Sequence, residues 1–361
     1  MQVITDWFRR HFSNPQVVFL ALFLILLFAV IIVMGNMLAP IIAGVIVAYL
    51  LEGIVRVLQR AKLPRLLAVL IVFCAFFIFV ILILFGLLPL LSKQATQLFQ
   101  QIPAIISESQ KVLMQLPERY PDVISAAQVQ EAIIAIRFEL AQLGQRVLSL
   151  SMASVVGVIT LLVYAILFPI LVFFFLKDKQ QIIDWFTGYL PREHHLAAQV
   201  WTDVDRQIGN YIRGKFWEIL AVGSASFATF SFFRMEYAML LGVLVGLSVL
   251  IPFVGAAVVT IPVVVIAWFQ WGWGSDFAWL ICAYLVIQAI DGNLLVPLLF
   301  SEVVNLHPVA IILAVLFFGG LWGVWGVFFA IPLATLVQAV LTAWPKAALS
   351  APSQEAAIRQ P

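Results

Sequence analysis

Charge is what this chain has least of. Only 11% of its 361 residues are charged while 64% are hydrophobic, and a soluble domain of this size carries roughly 25% charge. That shortage, together with several uninterrupted apolar runs, excludes an ordinary soluble domain and sets the class as an all-α, polytopic helical membrane protein. A net charge of +2 is too small to argue for a nucleic-acid partner. Cysteine is scarce. Cys74 and Cys282 both lie in apolar runs and offer neither a disulfide framework nor metal spacing. The pair His194-His195 beside Glu193 has no third ligand at helical or hairpin spacing and reads as a solvated loop, not a metal site. Missing motifs narrow the function too. No Walker A pattern is present, which argues against ATP as the energy source. Gly223-Ser224-Ala225-Ser226 is not an intramembrane serine-protease motif, and one central aspartate is not the pair that aspartyl chemistry needs. The reading is therefore of a protein without enzymatic activity and without a cofactor. No small-residue cleavage site follows the first apolar run, which reads as an uncleaved anchor.

Residues 1–91 are expected to form three membrane spans: Val17 to Met34, then a tight turn at Gly35-Asn36, Leu38 to Leu51, and Leu66 to Leu91. The linker holding Arg56, Arg60, Lys62 and Arg65 is assigned to the cytoplasm by the positive-inside rule. Residues 92–149 are richer in polar groups, carry apolar positions at helical spacing, and are punctuated by Pro103, Pro117 and Pro121. They read as a small extracytoplasmic helical domain whose apolar stripes need a partner surface. Residues 150–176 are a fourth span. Residues 177–215 form a cytoplasmic amphipathic segment, with 203–215 a helix running into span five at Phe216 to Phe233. Glu218 lies one turn inside that span, where it would reach back toward Arg213 or Lys215. Residues 216–345 are the expected transport core, and 346–361 a disordered tail. Both termini are assigned to the cytoplasm.

Two apolar runs do not fit simple spans. Tyr237 to Trp271 and His307 to Leu341 are each 35 residues, whereas a straight crossing needs about 20. The first is interrupted by Gly242, Gly246, Pro252, Gly255 and Pro262; the second by Gly319, Gly320, Gly323, Gly326 and Pro332. Each has an Ile-Pro after its break, which reads as a weak internal repeat. Two broken or re-entrant hairpins of half-length helices, each paired with a span and repeated upside down, would match the inverted repeats of secondary transporters.

Between the two runs stands Asp291, inside an apolar stretch from Phe277 to Phe300, with Gly292 and Asn293 beside it and Pro297 behind. An ionised carboxylate at bilayer depth costs several kcal/mol, on the order of 3 on insertion scales, and normally faces a protein interior or a wet cavity. Gly292 and Pro297 are read as a helix break that frees backbone carbonyls. Asp291 and Asn293 are the leading candidates for solute or ion binding, with Asn210 and Glu218 behind them. Pro252, Gly255, Pro262, Gly319, Gly320, Gly323, Gly326 and Pro332 are candidate hairpin breaks or gate positions.

The stretches IPFVGA (251–256), QAIDGNLLVP (288–297), LHPVAIIL (306–313) and FGGLWGVWGVFFAIPLATL (318–336) resemble the autoinducer-2 exporter family of bacterial permeases, and within it the PerM-type branch. NYIRGK (210–215) and the long segment after span three fit the same likeness. The resemblance implies an inner-membrane, multi-pass permease, with branches linked to signal export or to sodium/proton exchange, and a homo-oligomer such as a pentamer. The function expected is a secondary transporter that moves a small polar solute or exchanges a monovalent cation for protons. The other reading is a channel-like protein or membrane scaffold in which Asp291 only ties helices together.

Overall fold

The structure is a computed structural model, and it describes residues 15–114, 155–188, 195–252, 254–300 and 306–343, with a few positions between 125 and 142. The described residues are helical almost throughout, with no strand among them. They divide into two compact units. The larger comprises Gly44–Lys177 and Gly214–Leu299; the smaller comprises Met1–Ala43, Asp178–Arg213 and Phe300–Pro361.

Helix α1 spans Pro15–Arg60, so the turn expected at Gly35-Asn36 is not there. In an apolar surrounding the backbone keeps its own hydrogen bonds, and that outweighs the weak helix propensity of one glycine and one asparagine, about 1 kcal/mol or less each. With the turn gone, the two-span count that assigned the N terminus to the side of the Arg56–Arg65 linker no longer applies. The chain then turns at Lys62, whose φ is 68°. It continues as α2 (Arg65–Leu82), one π-helical turn at Ile83–Leu87, and α3 (Leu88–Met114). The boundary expected after Leu91 is no break, and Pro103 is carried inside α3. Most of the expected external domain, residues 115–149, and the tail from 346 lie outside the described residues.

In the larger unit, Ala48, Leu51 and Val55 of α1 pack with Ala68, Val69 and Val72 of α2 and with Val172 and Leu176 of α4, which spans Val155–Lys177. Glu52 is buried beside this cluster and pairs with Arg56 at 3.3 Å and Arg65 at 3.6 Å. Arg65 also donates to the Leu176 carbonyl at 2.8 Å, satisfying a last-turn acceptor of α4 as a C-terminal cation does. A short helix, α5 (Lys179–Thr187), follows α4 after a bend at Asp178.

The second cluster of the larger unit is built from the later part of α6 (His195–Phe232) and from α7 (Ala238–Ser248), α8 (Val254–Trp271) and α9 (Ser275–Ile290). Val222, Phe230, Leu241, Val245, Val263, Ile266, Leu280 and Tyr284 are its centre. The turn between α6 and α7 needs left-handed backbone at Arg234 and Tyr237. Gln270 clamps it, accepting from the Glu236 N–H at 2.8 Å and donating to the Arg234 carbonyl at 2.9 Å. Gln94 of α3 accepts from the Leu240 N–H at 2.8 Å, filling one of the orphan donors in the first turn of α7.

Helices α7 and α8 form one helical hairpin. In the smaller unit, α11 (Pro308–Trp322) and α12 (Val324–Ala343) form another, turning at Gly323 with φ of 60°. Each joins a shorter limb to a longer one, 11 with 18 residues and 15 with 20, which corrects the expectation of two half-length limbs. The two turns share a fitting. A Cβ on Gly255 would meet the Ser248 carbonyl oxygen at 1.7 Å, and one on Gly326 would meet that of Phe318 at 1.8 Å. In both, a glycine early in the second limb lets two backbones touch. Pro262 and Pro332 interrupt nothing and lie inside α8 and α12.

Four described stretches are long and apolar enough to cross a membrane: Pro40–Arg60, Arg65–Glu108, Val254–Trp271 and Ser275–Phe300.

Candidate transport site

Asp291 ends the α-helical part of its stretch. From Asp291 to Leu295 the chain makes a π-helical turn, then resumes as α10 (Val296–Phe300). This corrects the helix break expected at Gly292 and Pro297. The helix is widened instead of broken, because one extra residue per turn absorbs the hydrogen bond that the proline nitrogen cannot make. Gly292 is exposed, and a Cβ added to it would meet nothing within 4 Å, so its role is local to the turn. Asp291 is 9% exposed, and its Oδ1 has no hydrogen-bond partner. A buried carboxylate oxygen left bare is costly to retain.

The same face of α9 and the π turn carries Tyr284, Gln288 and Asp291 at spacings of four and three. Tyr284 is fully buried and shares a 3.0 Å hydroxyl contact with Thr260 of α8. Gln288 Nε2 is buried without a partner. On α6, Glu218, Ser226 and Phe230 fall on one face, all buried; Phe230 lies 6.0 Å from the Tyr284 ring, and Ser226 Oγ has no partner. A polar line thus runs through an otherwise apolar cluster, between α6 and α9.

Glu218 does not reach back to an exposed surface. It is 2% exposed and forms an ion pair with Lys215, which is 5% exposed, at 2.7 Å. The contact has ion-pair rather than aligned hydrogen-bond geometry at Glu218 Oε2. Lys215 Nζ also donates to the Val249 carbonyl at 2.8 Å, the residue that caps the C-terminal end of α7. Asp291 lies near enough for its charge to act on Glu218 and for the Lys215 charge to act on it. The packing of α6 on α7 explains how Lys215 gets there. Lys215, Ile219, Gly223 and Phe227 stand four apart on α6 and meet Val249, Gly246 and Gly242 in reverse order. A Cβ on Gly246 would come within 2.9 Å of the Gly223 Cα, and one on Gly242 within 2.7 Å of the Phe227 Cβ. Glycines at that spacing let two helices approach closely, which lays the α7 terminus against Lys215.

Lys215 is expected from the sequence only as one of two surface partners for Glu218, not as a buried member of the site. Its three-residue spacing from Glu218 is visible in the sequence; the Val249 carbonyl, 34 residues away, is not. The other candidates have contacts of their own. Asn293 is exposed and donates to the Ala289 carbonyl of its own helix at 2.9 Å. Asn210 accepts from Arg213 at 2.8 Å. Pro252 lies in the turn between α7 and α8, and Gly319 and Gly320 lie near the end of α11. Glu193 and His194 lie outside the described residues; among those described, no three His, Cys, Asp or Glu side chains gather as a metal site would need.

The family described as AI-2E family transporter matches residues 20–346. The chain is 45% identical over 345 residues to "Putative permease PerM" of Escherichia coli (strain K12), covering 96% of this chain and 98% of that one. It is 26% identical to "Putative transport protein YueF" of Bacillus subtilis (strain 168), covering 92% of each. A second Bacillus subtilis relative, "Putative transport protein YrrI", is 27% identical over 84% of this chain and 85% of its own length. With the apolar helices above, these matches make the chain a bacterial membrane protein of the AI-2E transporter family.

Proposed function

We propose that this chain is a secondary transporter of the inner membrane, exporting a small polar solute or signal molecule, with Asp291 as the group that carries the coupling proton or cation. The observation that carries the reading is the bare Oδ1 of Asp291, nine-tenths buried at a π turn within an apolar helix. Buried ionisable groups in membrane segments are functional by default, because selection has little reason to keep their cost otherwise. The π turn supports it, since such turns gather at working sites. In this reading the protein is not an enzyme, the α7–α8 and α11–α12 hairpins re-enter the membrane, and copies assemble as a homo-oligomer. The Arg56–Arg65 turn and the C terminus face the cytoplasm.

A second reading, exchange of a monovalent cation for protons, draws on the Lys215–Glu218 pair, in which the group already binds one positive charge. Proteoliposomes test both. Wild-type protein should move a solute or cation down an imposed gradient, and Asp291→Asn should fold normally but lose coupled flux. Wild-type rates in that variant would remove Asp291 from the mechanism.

A further inference from the structure

The turn between α1 and α2 concentrates charge of one sign. From Glu52 to Arg65 stand four cations, Arg56, Arg60, Lys62 and Arg65, against the single acid Glu52. Glu52 is buried and holds two of them from behind, Arg56 at 3.3 Å and Arg65 at 3.6 Å. Each of these arginines keeps part of its surface open, with side chains 58% and 37% exposed. Arg60 and Lys62 are exposed as well. An excess of three positive charges is thus packed into one short turn, where like charges repel and an anion is attracted.

Two backbone features sharpen the imbalance. Lys62 takes a φ of 68°, and the Leu63 N–H reaches the Leu58 carbonyl at 3.3 Å. That closure of a helix C-terminus ordinarily places glycine at the left-handed position. Lysine is strained there where glycine would not be. Helix α2 then opens on Arg65, with Pro64 before it, no side-chain cap and no acid in its first turn. A basic residue is the wrong sign for a helix N-terminus, and an anion beside it would answer both.

The surroundings select the kind of anion. The turn joins two stretches long and apolar enough to cross a membrane, Pro40–Arg60 and Arg65–Glu108, and a turn between two crossings lies at a bilayer surface. Ile54 and Val57 on α1, and Leu66 and Leu67 on α2, are exposed beside the cations. A phospholipid brings acyl chains to cover such residues, whereas a soluble anion brings nothing to them.

We propose that the α1–α2 turn is a binding site for the headgroup phosphate of an anionic phospholipid. Arg56, Arg60, Lys62 and Arg65 form its cationic wall, and Ile54, Val57, Leu66 and Leu67 take the acyl chains. Glu52 is a positioning residue that fixes where the Arg56 and Arg65 heads stand. Because Arg65 also holds the Leu176 carbonyl of α4, a lipid bound here braces α1, α2 and α4 at one membrane face. The site does not involve Asp291, and it stands whether or not that carboxylate couples transport.

The test is the melting of the purified full-length protein in a neutral detergent with phosphatidylglycerol, phosphatidylcholine or inorganic phosphate added. Wild type should gain about 5 °C from phosphatidylglycerol and little from the other two. The gain should shrink at high salt. Arg60→Gln/Lys62→Gln removes two exposed cations, leaves the Glu52 pairs in place, and should lose about half of the gain or more. Lys62→Gly should melt above wild type without lipid, since glycine accepts the left-handed backbone, yet gain less from phosphatidylglycerol. Arg234→Gln alters a basic residue at another left-handed turn and should respond as wild type does. A full gain in the double variant or in Lys62→Gly would overturn the proposal, and so would an equal gain from phosphatidylcholine. An Arg234→Gln variant that loses as much would also overturn it. An equal gain from inorganic phosphate would assign the patch to a soluble anion and overturn the lipid site.

Discussion

The Tyr211 hydroxyl donates to the Phe328 carbonyl at 3.1 Å. Phe328 stands four residues before Pro332, so its carbonyl is the acceptor that the proline nitrogen cannot serve. Within the smaller unit, a buried phenol from α6 thus completes the backbone of α12, with its ring 5.7 Å from that of Phe300. A proline in a gate would free a carbonyl for a substrate; here the carbonyl is freed, and Tyr211 takes it.

Tyr211→Phe should therefore leave a buried acceptor unserved and cost about 1–3 kcal/mol, read as a lower melting temperature. Pro332→Ala in the same background should restore most of the loss, because alanine returns the missing N–H. A double variant no more stable than Tyr211→Phe would show that the hydroxyl is not serving that carbonyl.

Glycine substitutions should split into two groups. Gly255→Ala and Gly326→Ala place a carbon inside the van der Waals radius of a backbone oxygen, and each should cost several kcal/mol, on the order of 3 or more. Gly320→Ala meets nothing within 4 Å and lies within α11. It should be neutral, or stabilise by up to about 1 kcal/mol through helix propensity. Thermal melts of the three single variants make the comparison.

Gln94 acts as a helix cap supplied from another helix. Gln94→Ala should destabilise by about 1 kcal/mol, whereas Gln94→Glu keeps an acceptor, places negative charge at the α7 N-terminus and should be tolerated. Equal melting temperatures for both variants would exclude the capping role.

Flux should distinguish the neighbours Asp291 and Asn293. Asn293 is exposed and bonded to its own helix, so Asn293→Ala is expected to keep most of the transport that Asp291→Asn loses. The check is initial uptake rate in proteoliposomes at matched protein content. Equal losses would return Asn293 to the site.

What could be read from the chain depended on distance along it. The burial of Asp291 follows from one charge in an apolar stretch, and the hairpin turns follow from glycine and proline clusters in runs too long for one crossing. The Lys215–Glu218 pair spans three residues and was within reach of helical periodicity. Features set by tertiary contact were not. Nothing local tells Lys215 to meet Val249, or Tyr211 to meet Phe328; both depend on how helices cross. The missing turn at Gly35-Asn36 failed for a different reason. Turn propensities describe a backbone with water available, and an apolar helix has no such alternative partner. The widened turn at Asp291–Leu295 likewise depends on how a proline is accommodated, for which sequence offers several solutions.

The Arg65 junction gives the Lys215 junction a counterpart within the same unit. In each, a basic side chain reaches a buried glutamate and the final carbonyls of a neighbouring helix. Arginine grips through a flat, many-toothed head, whereas lysine is a single point of charge on a flexible stem. One joint is thus riveted and the other merely clasped. On the proposed transport reading, α1, α2 and α4 would belong to the frame, and the freedom to move would fall to the helices that Lys215 fastens.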